Sequence, residues 1–339
     1  MTKILLTGVT GFVGHHFVEE YLKNTDWDIV GIGRLDYSSK NGFDKLRDIK
    51  AFDSNRVTVF THDLNTPFGD GLIKEIGDVD YILHVAAGSH VDNSIKDPVP
   101  FVMNNVQSTL MVLEYARKLK SLKKMLYFST DEVYGTAPEG VNYKEGDRFN
   151  PGNPYSASKA AAECICMAYA NTYKVPIVIS NSMNILGERQ HPEKYFPLVM
   201  NKVLDGEEVQ IHANPELTQA GKRHYIHARN IANAIKFILE KTSDTLNQEN
   251  AAEGRYNVVG EKEFDNLELA QLIAKFMDKP LKYKMINFHE SRPGHDMRYG
   301  LDGTRLKEAG WEPPHKVEDS IKNIINWTLK EENIKWLGR

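Results

Sequence analysis

In the stretch YFSTDEVYG, Tyr127 to Gly135, two adjacent carboxylates, Asp131 and Glu132, follow Ser129 and Thr130 where a buried strand leaves the core. Close carboxylates in a partly dry site push their pKa values apart, so that one donates a proton while its neighbour accepts one. The plainer reading is a capping or solvated turn, where Asp and Glu are common after a strand. Tyr155 and Lys159, in NPYSASKAAAECICMAY, share one face of a helix that opens after Pro154. An ammonium beside a phenol stabilises phenolate and draws tyrosine from about 10 toward neutrality, making it a base. Alone, such a pair is also an ordinary solvated helix face. Beside a nucleotide loop and a strand-end Thr130 it is a candidate catalytic group.

That loop is LLTGVTGFVGHHF, in which Gly8, Gly11, Phe12, Val13 and Gly14 lead from a first strand into an apolar-periodic helix. Glycines there let the chain turn, let backbone N–H groups approach a pyrophosphate and let helix pack on strand. Glycines also make ordinary turns; the strand before and the helix after favour a dinucleotide site. An acid ending strand two ordinarily binds the adenosine ribose and selects NAD, whereas here Gly33 is followed by Arg34. This leans to NADP, with a guanidinium for the 2′-phosphate. Asp36 is the ribose acid, and NAD the cofactor, if the strand ends later. Asp63 and Leu64, ending strand three, are candidate adenine contacts, and Ala86 and Ala87 let the chain after strand four pass close to the cofactor.

The elements that must position these residues are short β-branched runs, at 3–7, 28–32, 56–60, 80–85, 124–129 and 176–180, alternating with helical stretches. Such alternation predicts an α/β fold, a Rossmann-type doubly wound parallel sheet. After about residue 181 the elements become shorter and more mixed. We read a dinucleotide-binding domain over 1–180 and a smaller α+β substrate-binding domain over 181–339, with the chain crossing back between them. The balance of 42 basic against 46 acidic residues, without a long Lys/Arg run, argues against nucleic acid. The apolar run near the N-terminus stops at Gly8, too soon for a signal segment, and no stretch suggests a membrane span. Cys164 and Cys166 are two apart with diverging side chains, which predicts a reduced, cytoplasmic protein without disulfide or metal site. His15 and His16 read as surface or packing residues, and His84 as a local hydrogen-bonding group.

Together the glycine loop, STDEVYG and YSASK resemble the extended short-chain dehydrogenase/reductases, and most closely the nucleotide-sugar 4,6-dehydratases typified by dTDP-glucose 4,6-dehydratase. The likeness runs nearly end to end, through SHVDNSIKDP, HPEKYFPLV, GKRHYIHARNIANA and RPGHDMRYGLDGTRLKEAGWEP. The resemblance implies that Tyr155 takes the proton of the sugar 4-hydroxyl while hydride leaves C4, with Thr130 bonded to the same oxygen. It further implies that Glu132 removes the C5 proton and protonated Asp131 donates to the departing C6 hydroxyl. Hydride then returns to C6, giving a 4-keto-6-deoxy sugar, water and regenerated cofactor.

The resemblance also implies that Asn184, Lys194, Arg223, Asn266, Arg292, His295 and Tyr299 contact nucleotide and diphosphate, and that Ser89 touches the sugar. Each lone cation also has a plain surface reading. Gly88, Asn93 and Ile185 stand where the dTDP-glucose pattern usually has Glu, Arg and Asn, so UDP-glucose or another close relative remains an alternative substrate. Ala160, Ala161, Cys164, Met167 and Ala168 are expected on one side of the Tyr155 helix, either as core or, as the resemblance implies, in a homodimer interface. A nucleotide-sugar 4-epimerase and a non-catalytic NAD(P)-binding sensor are the competing readings. The epimerase has no elimination step and leaves Asp131 and Glu132 unexplained.

Overall fold

The computed structural model describes residues 1–34, 42–287 and 297–339; Asp36, Arg292 and His295 lie outside the described residues. The first half runs β1 (Lys3–Thr7), α1 (Phe12–Asn24), β2 (Asp28–Gly33), α2 (Gly42–Asp48), β3 (Val57–Thr61), α3 (Asp70–Ile76), β4 (Tyr81–His84), α4 (Val91–Lys96), α5 (Pro98–Ala116), β5 (Lys124–Thr130), α6 (Pro154–Tyr173) and β6 (Ile177–Ser182). The second half runs β7 (Asn184–Leu186), α7 (Tyr195–Asp205), β8 (Glu208–Ala213), β9 (Lys222–His227), α8 (Ala228–Lys241), β10 (Arg255–Val258), β11 (Glu263–Asp265), α9 (Asn266–Phe276), β12 (Lys282–Asn287), α10 (Thr304–Glu308) and α11 (Val317–Thr328).

Every strand expected in the first half is present, and all six join one parallel sheet in the order β10-β6-β5-β4-β1-β2-β3. Their near-continuous apolar runs follow from burial on both faces. Alternation divides each strand between two cores. Ile4, Leu6, Leu83 and Leu126 pack with Phe17 and Tyr21 of α1 and Ile231 and Ile235 of α8. Leu5, Ile82, Met125 and Tyr127 pack with Val112 of α5 and Ala162 and Cys166 of α6. Truncating one of these leucines to alanine costs about 2–5 kcal/mol. The second half thus supplies both a helix and an edge strand to the main sheet. Its own core joins α7, α9 and α11 to two small sheets, β11-β9-β7 and β12-β8.

The order of strands reverses between β1 and β4, and a crevice beyond the carboxyl ends of the strands is where such sheets bind ligands. Thr7, Gly33, Thr61, His84 and Thr130 all close their strands at that edge. Among the described residues, no helix is long and apolar enough to cross a membrane.

Candidate active site

The glycine loop is shaped by close approach. Gly8 has φ +73°, and a Cβ there would lie 2.8 Å from the backbone nitrogen of Ala86. A Cβ on Gly14 would lie 2.1 Å from the Gly8 carbonyl oxygen, so helix and loop touch only because both residues are glycine. Helix α1 begins at Phe12 without a side-chain cap on Gly11, which leaves first-turn N–H groups of Phe12 and Val13 for an anion. A cradle lined by backbone and closed to any Cβ fits the pyrophosphate of a dinucleotide.

At the end of β2 the structure adds a relationship between residues 10 and 33. A Cβ on Gly33 would meet Thr10 Cγ2 at 2.7 Å and Oγ1 at 2.8 Å, and buried Thr10 also fills the space beside Gly42. The place of a strand-end acid is taken by the threonine side chain. Arg34 donates to Asp63 Oδ1 at 3.1 Å and to Asn104 Oδ1 at 3.4 Å. Leu64, in contrast, is buried in the core against α3 and α5.

The catalytic candidates converge at the end of β5. Thr130 Oγ1 donates to Asp131 Oδ1 at 3.0 Å and is also hydrogen-bonded to the Tyr155 phenol. A 3₁₀ turn over Asp131–Tyr134 follows, so the paired acids leave the strand in different directions. Asp131 is buried, its Oδ2 without a hydrogen-bond partner among the described residues. Burial and then the adjacent Glu132 push its carboxyl up to about 7, against the Thr130 hydrogen bond and the Arg223 charge. Glu132 is more open, and its Oε2 accepts from Asn153 Nδ2 at 3.1 Å and the Tyr299 hydroxyl at 3.3 Å. The two carboxyls therefore occupy different environments, one dry and one wired to donors.

Helix α6 starts where Asn153 and Ser156 form a reciprocal capping box with Pro154 in the first turn. The cap, worth about 1 kcal/mol, fixes both the helix start and the amide that reaches Glu132. Tyr155 and Lys159 face the sheet, but the expected lowering of the phenol pKa is corrected by the structure. Lys159 Nζ donates to the Phe128 carbonyl at 2.7 Å and sits 4.2 Å over the Tyr127 ring. Burial, then Glu132, raise the Tyr155 pKa above its ordinary value, and burial lowers Lys159 to about 8.

On the substrate side, Arg223 of β9 stacks 4.4 Å over Tyr299 and donates to the Lys222 and Met297 carbonyls. Arg223 and Tyr299 thereby join the acid pair. Lys194 Nζ donates to the Ser89 carbonyl at 3.3 Å, bringing those two residues together across the cleft. Asn184 opens β7 and is exposed, while Asn266 opens α9 with its carbonyl accepting from Tyr195 at 2.5 Å. Gly88 is held at both backbone groups by Asn105, which also bonds Ser158.

Asn105, Asn153 and Thr10 were not legible as site residues. Only Asn153 carried a signal, an Asn-Pro pair ahead of a helix. The helix-face expectation also divides: Ala160 is buried and Met167 half-buried, whereas Ala161, Cys164 and Ala168 are exposed. Cys166 is buried on the other side. His15 and His16 are buried packing residues, and His84 bonds Thr7 at 2.7 Å and Thr109 at 3.1 Å.

Comparison with known proteins agrees with this geometry. The family model for GDP-mannose 4,6 dehydratase matches residues 5–324. The chain belongs to this family. A dTDP-glucose 4,6-dehydratase of Escherichia coli is 32% identical, over 98% of this chain and 94% of the relative. DesIV, a dTDP-glucose 4,6-dehydratase from Streptomyces venezuelae solved with NAD and TYD bound, superposes with TM-score 0.84 at 29% identity, covering 99% of this chain and 98% of that one. A UDP-glucose 4-epimerase from Thermus thermophilus, solved with NAD, superposes with TM-score 0.82 at 26% identity, covering 96% of this chain and 98% of that one. The protein is a nucleotide-sugar 4,6-dehydratase that uses a nicotinamide dinucleotide.

Proposed function

We propose that this dehydratase acts on a hexose carried by a nucleoside diphosphate, dTDP-glucose or a close relative such as UDP-glucose, and that Asp131 and Glu132 divide the elimination between them. The observation that carries the reading is the Asp131 carboxyl, buried and pushed up to about 7, beside a more open, donor-wired Glu132. Thr130 donates to Asp131 Oδ1, so a proton on Asp131 rests on Oδ2, ready for a departing C6 hydroxyl. Glu132, oriented by Asn153 and Tyr299, removes the C5 proton once C4 is a ketone. Burial and Glu132 keep the Tyr155 phenol protonated in the free chain, so it would take the 4-hydroxyl proton as the phenolate that the positive charge of an oxidised nicotinamide bound beside it would stabilise, with Thr130 bonded to the same oxygen. The glycine loop, Ala86, Ala87 and Lys159 would hold a nicotinamide dinucleotide, which would supply the hydride acceptor for C4 and the hydride donor for C6. An epimerase shares the fold but has no use for a protonated Asp131.

We infer NADP as the cofactor, on the absence of a carboxylate at Gly33, the Thr10 side chain that fills its place, and Arg34 at the mouth of the adenosine site. Residues 1–180 are assigned mainly to the cofactor and 181–339 mainly to the nucleotide sugar, with Asn184, Lys194, Arg223, Asn266 and Tyr299 as its contacts and Ser89 at the sugar. Ala161 and Ala168 of α6 are exposed, and α5, which packs against α6, carries Val99 and Met103 at 67% and 59% exposed, which supports a homodimer through these helices. Turnover in D₂O tests the acid roles: product with deuterium at C5 agrees with exchange through Glu132, and product retaining the substrate's C5 hydrogen contradicts it.

A further inference from the structure

Glu163 lies on α6 one turn beyond Lys159 and two beyond Tyr155, and it is wholly buried. Its Oε1 accepts from Ser129 Oγ at 2.5 Å and from Asn181 Nδ2 at 2.8 Å, and its Oε2 pairs with the guanidinium of Arg255, the first residue of β10. Asn181 Nδ2 also donates to the Thr130 carbonyl at 3.2 Å. The last three residues of β5 are therefore held in succession, two directly by α6 and the third through Asn181 of β6. Phe128 is held by Lys159, Ser129 by Glu163, and Thr130 by the Asn181 amide that Glu163 orients. Immediately after them come Asp131 and Glu132.

We propose that Glu163, with Arg255 as its counter-ion, is a positioning residue that locks the end of β5 to α6, keeps Thr130 and Asp131 aligned with Tyr155, and supplies the negative charge facing Lys159. The proposal rests on the reading of Thr130, Asp131, Tyr155 and Lys159 as the reacting groups. A buried ion pair is weak support for stability, because desolvation offsets much of its attraction and apolar replacements are often neutral. Directional contacts to Ser129, Asn181 and Arg255 on one carboxylate serve geometry better than they serve stability. Around the Lys159 ammonium stand His84 from β4, the Tyr127 ring from β5, and Cys166 and Glu163 from its own helix. Burial holds His84 down to about 3, so it is neutral, and Glu163 is the carboxylate in this set that opposes the desolvation of Lys159.

The test uses the full chain with Glu163→Gln combined with Arg255→Met, so that no cation is left buried alone, and separately Ser129→Ala. Circular dichroism and melting establish folding. Lysine ¹³C NMR, with the Lys159 signal assigned through Lys159→Arg, gives its titration midpoint without any substrate. We expect the double variant to move that midpoint down by about 1, and water loss to slow roughly tenfold to a hundredfold in kcat at unchanged KM. Ser129→Ala is expected to lower kcat and leave the midpoint in place. Folded variants with wild-type midpoint and kcat overturn the proposal. If the double variant does not fold, wild-type kcat in Ser129→Ala overturns the alignment claim. A wild-type chain that loses water from no sugar nucleotide contradicts the dehydratase reading, while the Lys159 midpoint still tests Glu163.

Discussion

The Tyr299 hydroxyl donates to Glu132 Oε2 at 3.3 Å, linking side chains 167 positions apart. The same tyrosine lies under the Arg223 guanidinium, so the carboxylate assigned to C5 is oriented by the part of the chain assigned to the nucleotide. Tyr299→Phe is expected to retain the fold and to slow water loss by about one order of magnitude, the loss of one orienting hydrogen bond. Steady-state kinetics check this; an unchanged kcat places the orientation of Glu132 elsewhere, on Asn153.

Glu132→Gln removes the base and leaves the neighbouring hydrogen-bond geometry nearly intact. Water loss is expected to fall by about 10²–10⁴-fold. Rapid-quench mass spectrometry checks it, and a normal rate of dehydration contradicts the assignment of Glu132 to C5.

Asp131 makes stability depend on pH with a definite sign. Its folded value of about 7 lies above the ordinary 3.8, so between those values the native state keeps a proton that the unfolded chain has released. The stability from this group is full below 3.8, declines as pH rises, and is gone above 7. Asp131→Asn is therefore expected to gain stability relative to the wild type as pH rises through that window, while losing activity. Urea unfolding across a pH series checks it; a constant difference between the two proteins contradicts it.

Thr10 and Gly33 predict a paired change in cofactor choice. Gly33→Asp alone is expected to weaken NAD and NADP together, because the new Cβ meets Thr10 Cγ2 at 2.7 Å. Gly33→Asp with Thr10→Gly opens that space and is expected to favour NAD, whereas Arg34→Ala weakens NADP selectively. Fluorescence titration of both cofactors decides it, and an unchanged preference in Arg34→Ala contradicts the NADP reading.

Six strands of the main sheet were legible because each is a local apolar run between turn residues, and the acids and the Tyr155–Lys159 pair because their spacing is local too; the seventh strand, β10, reads RYNV and carries no such run. What sequence reading missed is contact across the fold. Thr10 against Gly33 and Glu163 against Arg255 leave no local pattern. The parallel pairing of β8 with β12 joins segments with β9, α8, β10, β11 and α9 between them, and neither strand announces its partner. The Tyr155 environment failed for a related reason: helical spacing places Lys159 near the phenol but does not reveal that the Phe128 carbonyl holds the ammonium.

The most direct test of the account is incubation of the purified protein with dTDP-, UDP-, GDP- and CDP-hexoses, following product mass and the alkaline absorbance of 4-keto sugars. The account predicts loss of one water from one of these substrates, dTDP- or UDP-glucose before the others, without added reductant. Conversion at unchanged mass would contradict it and make the protein an epimerase.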